Sequence, residues 1–278
     1  MDKILGLGKA GCNIARAFEK YSQYTVVKID SEPSMEKGYL QMRPQKTPEL
    51  YEEKCPDFSS HLSSLSGDLL FIVSGASIIS GAALKILSQV KDFCDISVLY
   101  IRPDVELLGD LKKKQERMVF HVFQEYARSG LLKQMYIVEN SRLEQVIGGV
   151  PVIGYFEKLN SLIVSTIHMI NIFNHSDPIN STLSDSKETC RISTFGIADL
   201  EKNEEKSFFE LDNIDEKRYY YAIPEGKLKT DSTLLNKVKE KVINEPGGSY
   251  GIYSTSYAEE YIYYIARTSA VQEKLKNT

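Results

Sequence analysis

Lys3-Ile-Leu-Gly-Leu-Gly-Lys-Ala-Gly-Cys-Asn13 decides how the rest of the chain is read. Lys3–Leu7 is a short apolar strand. Glycines follow in a G-x-G-x-x-G pattern at Gly6, Gly8 and Gly11, and Asn13–Tyr21 then carries Ile14, Ala15, Phe18 and Tyr21 at helical spacing. Tyr24–Ile29 is a β-branched run, so the chain opens strand, helix, strand, the βαβ signature of a parallel sheet. Glycines at such a turn let the backbone approach a phosphate, and the helix N-terminus offers unpaired N–H groups and a partial positive charge. Asp30, ending the second strand, stands where a dinucleotide-binding fold places the acid that holds a ribose diol. Phosphate is indicated before any particular nucleotide, so an NAD(P)-dependent oxidoreductase stays open beside other nucleotide binders.

A length of 278 residues allows one large domain or two of ordinary size. Hydrophobic content of 42% with 26% charged residues is that of a soluble globular protein. A net charge of -4 removes the electrostatic case for a dedicated nucleic-acid binder. Cys12, Cys55, Cys94 and Cys190 form no C-x-x-C pair, and the histidines are scattered, which argues against a soft-ligand metal site. The first residues lack the pattern of a signal peptide. The longest apolar stretch, Ser161–Phe173, is too short to span a bilayer at roughly 20 residues. The expectation is a reduced, cytoplasmic chain with no membrane span and no direct nucleic-acid partner.

Asp30 to Gly67 is polar and broken by prolines. Asp68–Ser74 and Ile96–Ile101 read as buried strands, with a helix over Ser80–Val90 between them. Leu108–Arg128 predicts a long amphipathic helix, with Leu111, Met118, Val119, Val122, Phe123 and Tyr126 on one side. Met135–Val138, a small helix around Leu143–Ile147 and a long apolar helix over Val152–Phe173 follow. After Pro178 come strands at Arg191–Ile197, Arg218–Ile223, Tyr250–Ser254 and Tyr261–Arg267, with one helix near Ser232–Ile243. Asp199–Glu210 reads as a solvated loop or hairpin. The tyrosines around 219–221 and 250–264 suit nucleobase stacking, but on alternating strands they more simply pack as cross-strand pairs.

Several of these segments resemble motifs of the tubulin/FtsZ superfamily, in order over about residues 3–190. Gly6–Asn13 resembles its first phosphate loop. Phe71 to Ala83 is similar to the signature in which a strand leads to G-G-G-T-G-[ST]-G: Ser80 matches the Thr and Gly81 the next Gly, while Ser77, Ile78 and Ile79 replace the three leading glycines. Ile101-Arg102-Pro103 resembles the strand end before the sugar-contacting segment. Asn140 matches a base-reading Asn, Tyr155-Phe156 the guanine-stacking aromatic, and Asn160 the second base-reading Asn. Pro178–Asp185 is similar to the catalytic loop N-x-D-x-x-D, with Asn180 and Asp185 matched and Thr182 in place of the first acid. The glycine-rich loop that senses the γ-phosphate has no clear counterpart in Gln41–Ser66.

The resemblance implies an α/β fold: a Rossmann-like parallel-sheet GTP-binding domain over 1–151, a long central helix over 152–176, and a smaller α+β domain over 177–278. It implies a GTP/GDP site at Gly6, Gly8, Gly11, Cys12, Asn13, Ser77, Ser80, Gly81, Asn140, Phe156 and Asn160, with Mg2+ accompanying the nucleotide. It also implies a head-to-tail homopolymer in which Asn180 and Asp185 reach the neighbouring subunit's nucleotide, and an adaptor protein is a possible further partner. The altered second loop and Thr182 imply slow hydrolysis, or a degenerate member with none. The compact length is similar to that of phage- or plasmid-encoded members.

Overall fold

The computed structural model describes residues 1–273. Its contacts gather into two compact units, Met1–Val164 and the residues from Ser165 onward.

The first unit carries β1 (Lys3–Leu7), α1 (Gly8–Phe18), β2 (Thr25–Asp30), β3 (Tyr39–Gln41), α2 (Pro48–Glu53), α3 (Ser59–Leu62), β4 (Gly67–Ser74), α4 (Ala83–Val90), β5 (Cys94–Arg102), α5 (Asp110–Arg128), β6 (Gln134–Glu139) and α6 (Asn140–Ile147). The unit boundary falls inside α7 (Tyr155–Phe173). The six strands are parallel in the order β3-β2-β1-β4-β5-β6. Ile4–Leu7 and Leu69–Val73 are buried throughout, as strands covered on both faces require.

Two features depart from the sequence reading. The first helix begins at Gly8, not Asn13. Gly8 has φ +71°, which turns the strand straight into the helix, so Gly8 and Gly11 fall in its first turn, Gly6 stays in β1, and no loop precedes the helix. The inner face of α5 is Glu116, Phe120, Phe123, Gln124 and Ala127. Phe120 and Phe123 lie 5.3 and 6.0 Å from the Tyr100 ring on β5, and this aromatic packing sets the rotation of the helix. Leu111, Met118 and Val122 therefore face outward, Leu111 81% and Met118 70% exposed.

The second unit contains β7 (Asn180–Ser181), β8 (Ile192–Asp199), β9 (Glu204–Ser207), β10 (Glu216–Pro224), α8 (Glu225–Thr230), α9 (Leu234–Ile243), β11 (Ser249–Thr255) and β12 (Tyr261–Thr268). Its mixed sheet runs β8-β12-β10-β11-β7, with only β10 and β11 parallel, and β9 makes a hairpin with β8. The tyrosines divide by strand alternation. Tyr220 stacks near Phe173 and Tyr253 on one face, while Tyr219, Tyr221 and Tyr264 group on the other. Tyr219, Tyr220 and Tyr221 are fully buried, so this is core packing. Tyr257 and Tyr261 are exposed.

Lys217 anchors the Tyr219 face. Its ammonium donates to Glu205 Oε2 and Glu245 Oε2, both at 2.7 Å, and Lys241 reaches the same two carboxylates. Burial alone would push Glu205 up, but hydrogen bonds from Lys217, Tyr219 and Lys241 outweigh it and hold the carboxyl below the ordinary glutamate range.

Candidate nucleotide site

In the parallel sheet all strand ends point to one edge, and the chain changes direction between β1 and β4: from β1 it runs outward to β2 and β3, then returns to β4, β5 and β6. Open α/β sheets bind ligands at such a switch point. Here the turn after β1 meets the turn after β4. A Cβ on Gly8 would lie 2.6 Å from Ile79 Cγ2 and 3.6 Å from Ser77 Oγ, so the two turns touch.

Glycine is required at each corner of the first turn. A Cβ on Gly6 would come 2.5 Å from Gly11 O, and one on Gly11 would come 2.4 Å from Ile72 O of β4. Helix α1 has no side-chain N-cap and no acid in its first turn, and Lys9 and Ala10 are exposed there. An anion is the natural partner for these unpaired N–H groups. Cys12 faces inward. Its thiol lies against Gly6 O and Ile29 O, and burial, then the Asp30 charge, push it up to about 12. Asn13 is drawn back along the helix, its Oδ1 accepting from Arg16 at 2.7 Å, and Arg16 is held by Glu36. Asp30 is buried, accepts from the Ser31 amide at 2.7 Å, and is raised mainly by burial.

The second turn is a 3-10 segment, Ile78–Ala82. Ser80 is buried and donates to Ser77 O at 2.6 Å, so its proton is used within the turn. Gly81 is fixed by packing: a Cβ there would meet Pro48 O at 2.0 Å. Ile79 is buried against Gly8, and Ile78 is 38% exposed.

Farther along the same edge, β6 ends in Glu139 and Asn140 opens α6, half-buried. Arg102, ending β5, is buried between Glu116 and Glu139 at 3.4 Å each and lies over the Phe120 ring. The Tyr155 hydroxyl donates to Glu144 of α6 at 3.0 Å, fixing the first turn of α7. Phe156 packs edge-on against Tyr155 at 5.1 Å and is 63% exposed, leaving a ring face open. Asn160 is half-buried one turn later.

In the second unit, the stretch expected as a loop at Asn180 is strand β7, paired with Ile252 and Gly251 of β11. Asn180 Oδ1 accepts from the Tyr250 hydroxyl at 2.7 Å. Thr182 hydroxyl oxygen accepts from the Tyr250 amide at 3.1 Å, and its own amide donates to Tyr250 O at 2.8 Å. Asp185 is exposed.

Solved structures share this fold. An empty FtsZ dimer from M. jannaschii superposes with TM-score 0.70 at 12% identity, covering 100% of this chain and 94% of its own. CetZ from Methanosaeta thermophila strain DSM 6194 gives 0.72 at 13%, covering 96% and 86%. A GTPγS-form protofilament of Bacillus thuringiensis serovar israelensis TubZ gives 0.68 at 15%, covering 97% and 87%. The chain has the tubulin/FtsZ fold. No protein-family profile matches the sequence, and no curated protein matches it.

Within this tubulin/FtsZ fold Gly6, Gly8, Gly11, Ser77, Ser80 and Gly81 of the first unit come together at the β1/β4 switch. Asn140, Phe156 and Asn160 belong to α6 and α7, which follow the end of β6. Sequence reasoning missed the groups beneath the second turn. Tyr100 hydroxyl occupies the place a Cβ on Gly75 would take, 1.8 Å away, and Gln115 of α5 donates to Ser77 O at 2.7 Å. No local pattern announces either contact, because 25 and 38 residues separate the partners. Among the described residues no three His, Cys, Asp or Glu side chains are grouped to hold a metal ion, and no helix is long and apolar enough to cross a membrane.

Proposed function

We propose that this chain is a guanine-nucleotide-binding, filament-forming cytoskeletal protein with slow GTP hydrolysis. The observation that supports it most directly is the uncapped N-terminus of α1, cradled by glycines at the switch point beside the second turn. Phosphates sit at Gly8–Ala10 and the Ser77–Ser80 turn. The base lies toward β6, three strand spacings or about 14 Å from β1. There Asn140 and Asn160 offer paired donors and acceptors to the guanine edge, and Phe156 offers its open face. Cys12 contributes packing and main chain only. Mg2+ would accompany the nucleotide and offset charge on its phosphates.

Nucleotide at the end of one subunit is completed by the next, and head-to-tail contacts that do not close make a filament. Asn180 and Asp185 are the residues that reach the neighbour's nucleotide, Asp185 positioning the attacking water. With Thr182 standing where the first acid would be, one acid of the pair is missing, and turnover is slow. Asp185→Ala is expected to lower GTPase turnover at least tenfold with GTP affinity unchanged, measured by phosphate release and equilibrium binding. Unchanged turnover would remove Asp185 from the chemistry.

A non-hydrolysing structural member is the second reading, favoured by Ile79 lying against Gly8 and by Ser80 turned inward. Titration with a fluorescent GTP analogue, with NADH as control, separates the readings. Saturable GTP binding that Phe156→Ala weakens by about 1–3 kcal/mol supports the first. No saturable binding supports the second, and binding of NADH alone would point to an oxidoreductase. An adaptor that carries the filament's cargo belongs to the same proposal.

A further inference from the structure

The second turn is gripped from outside by one side chain. Gln115 Nε2 donates to Ser77 O at 2.7 Å and lies 3.5 Å from both Gly75 O and Ser80 Oγ. Ser80 also bonds Ser77 O, through its hydroxyl and its amide, but those bonds lie within the turn and travel with it. They set the shape of the turn. Gln115 belongs to α5 and sets its position. Helix α5 is itself held in place at the next residue, where Glu116 accepts from the Tyr100 hydroxyl at 3.2 Å and pairs with Arg102. Tyr100 closes the floor under Gly75.

A planar trans peptide points its C=O and the following N–H in opposite directions. With the carbonyls of Gly75 and Ser77 drawn toward α5, the amides of Ala76 and Ile78 point away from it. Ser77 and Ile79 lie against Gly8, where α1 begins. We propose that Gln115 is a positioning residue of the nucleotide site: by holding the Gly75 and Ser77 carbonyls it aims the Ala76 and Ile78 amides at the phosphates and sets how far Ile79 covers Gly8. This rests on the guanine-nucleotide reading and goes beyond it, since Gln115 touches no part of the ligand. It also explains how the turn, lacking its leading glycines, is kept in a binding conformation. The anchor that glycine flexibility does not provide comes from α5.

The test compares GTP with guanosine, which lacks the phosphates, each competing against a fluorescent GTP analogue on the full chain. Gln115→Met keeps the length and removes the donor. It is expected to weaken GTP about tenfold, the scale of one lost hydrogen bond, with guanosine affinity and melting temperature unchanged. Gln115→Glu, which sets a carboxylate against the same carbonyls, should give the same split. GTP affinity unchanged in Gln115→Met would overturn the proposal. So would an equal loss for GTP and guanosine, or failure of both variants to fold, since either makes Gln115 a general structural residue. If the wild-type chain binds no GTP, the guanine-nucleotide reading itself fails and this inference goes with it.

Discussion

Gly11→Val is expected to abolish folding or to lower stability by more than about 3 kcal/mol, seen as insoluble expression or a collapsed melting temperature. The added Cβ would lie 2.4 Å from Ile72 O, and that carbonyl belongs to β4 where Ile72 pairs with Gly6. Relief would need α1 to lift off β4 or β4 to shift where Ile72 pairs with β1, and both turns of the candidate site depend on these elements. Gly226→Ala is the matched control. Gly226 lies in α8 with nothing within 4 Å of the added Cβ and an ordinary φ, so alanine should raise stability by about 0.5–1 kcal/mol. A Gly11→Val protein melting like the wild type would contradict the packing of α1 on β4.

Lys217→Met is expected to destabilise the second unit by about 3 kcal/mol at neutral pH, because Glu205 and Glu245 would then face each other with Lys241 alone between them. The loss depends on pH in a defined direction. Glu205 titrates lower in the folded chain than in the unfolded one, so its contribution is complete above the ordinary glutamate value of about 4.3 and disappears as pH falls through the folded value. Wild type should therefore lose stability on acidification below about pH 4, and the gap between wild type and Lys217→Met should narrow there. Thermal unfolding of both proteins at pH 7 and pH 3.5 measures it. A gap of the same size at both pH values would show that packing around Tyr219, and not charge, carries the effect.

The opening βαβ was legible because its signals are local: an apolar run, glycines and a β-branched run fall within residues 3–30. So were the tyrosine strands, whose alternation sends Tyr219 and Tyr220 to opposite faces. The face of α5 was not. Its sequence holds two apolar stripes, and the choice was made by Tyr100, which no pattern inside the helix reveals. The site shows the same division. Gly6, Gly8 and Gly11 were found from spacing, but Gly75 and Gly81 are glycines because of Tyr100 and Pro48, elements that reach them only in the folded chain. Local signals likewise gave no hint that Thr182 would be held by the Tyr250 backbone or that Ser80 would turn its proton inward.

Assembly itself is read out by high-speed sedimentation of the purified chain over a range of concentrations, without nucleotide, with GTP and with NADH. A nucleotide-switched polymer pellets only with GTP, above a critical concentration, with guanine nucleotide recovered in the pellet. Protein that stays in the supernatant under every condition, or that pellets equally without nucleotide, would contradict it.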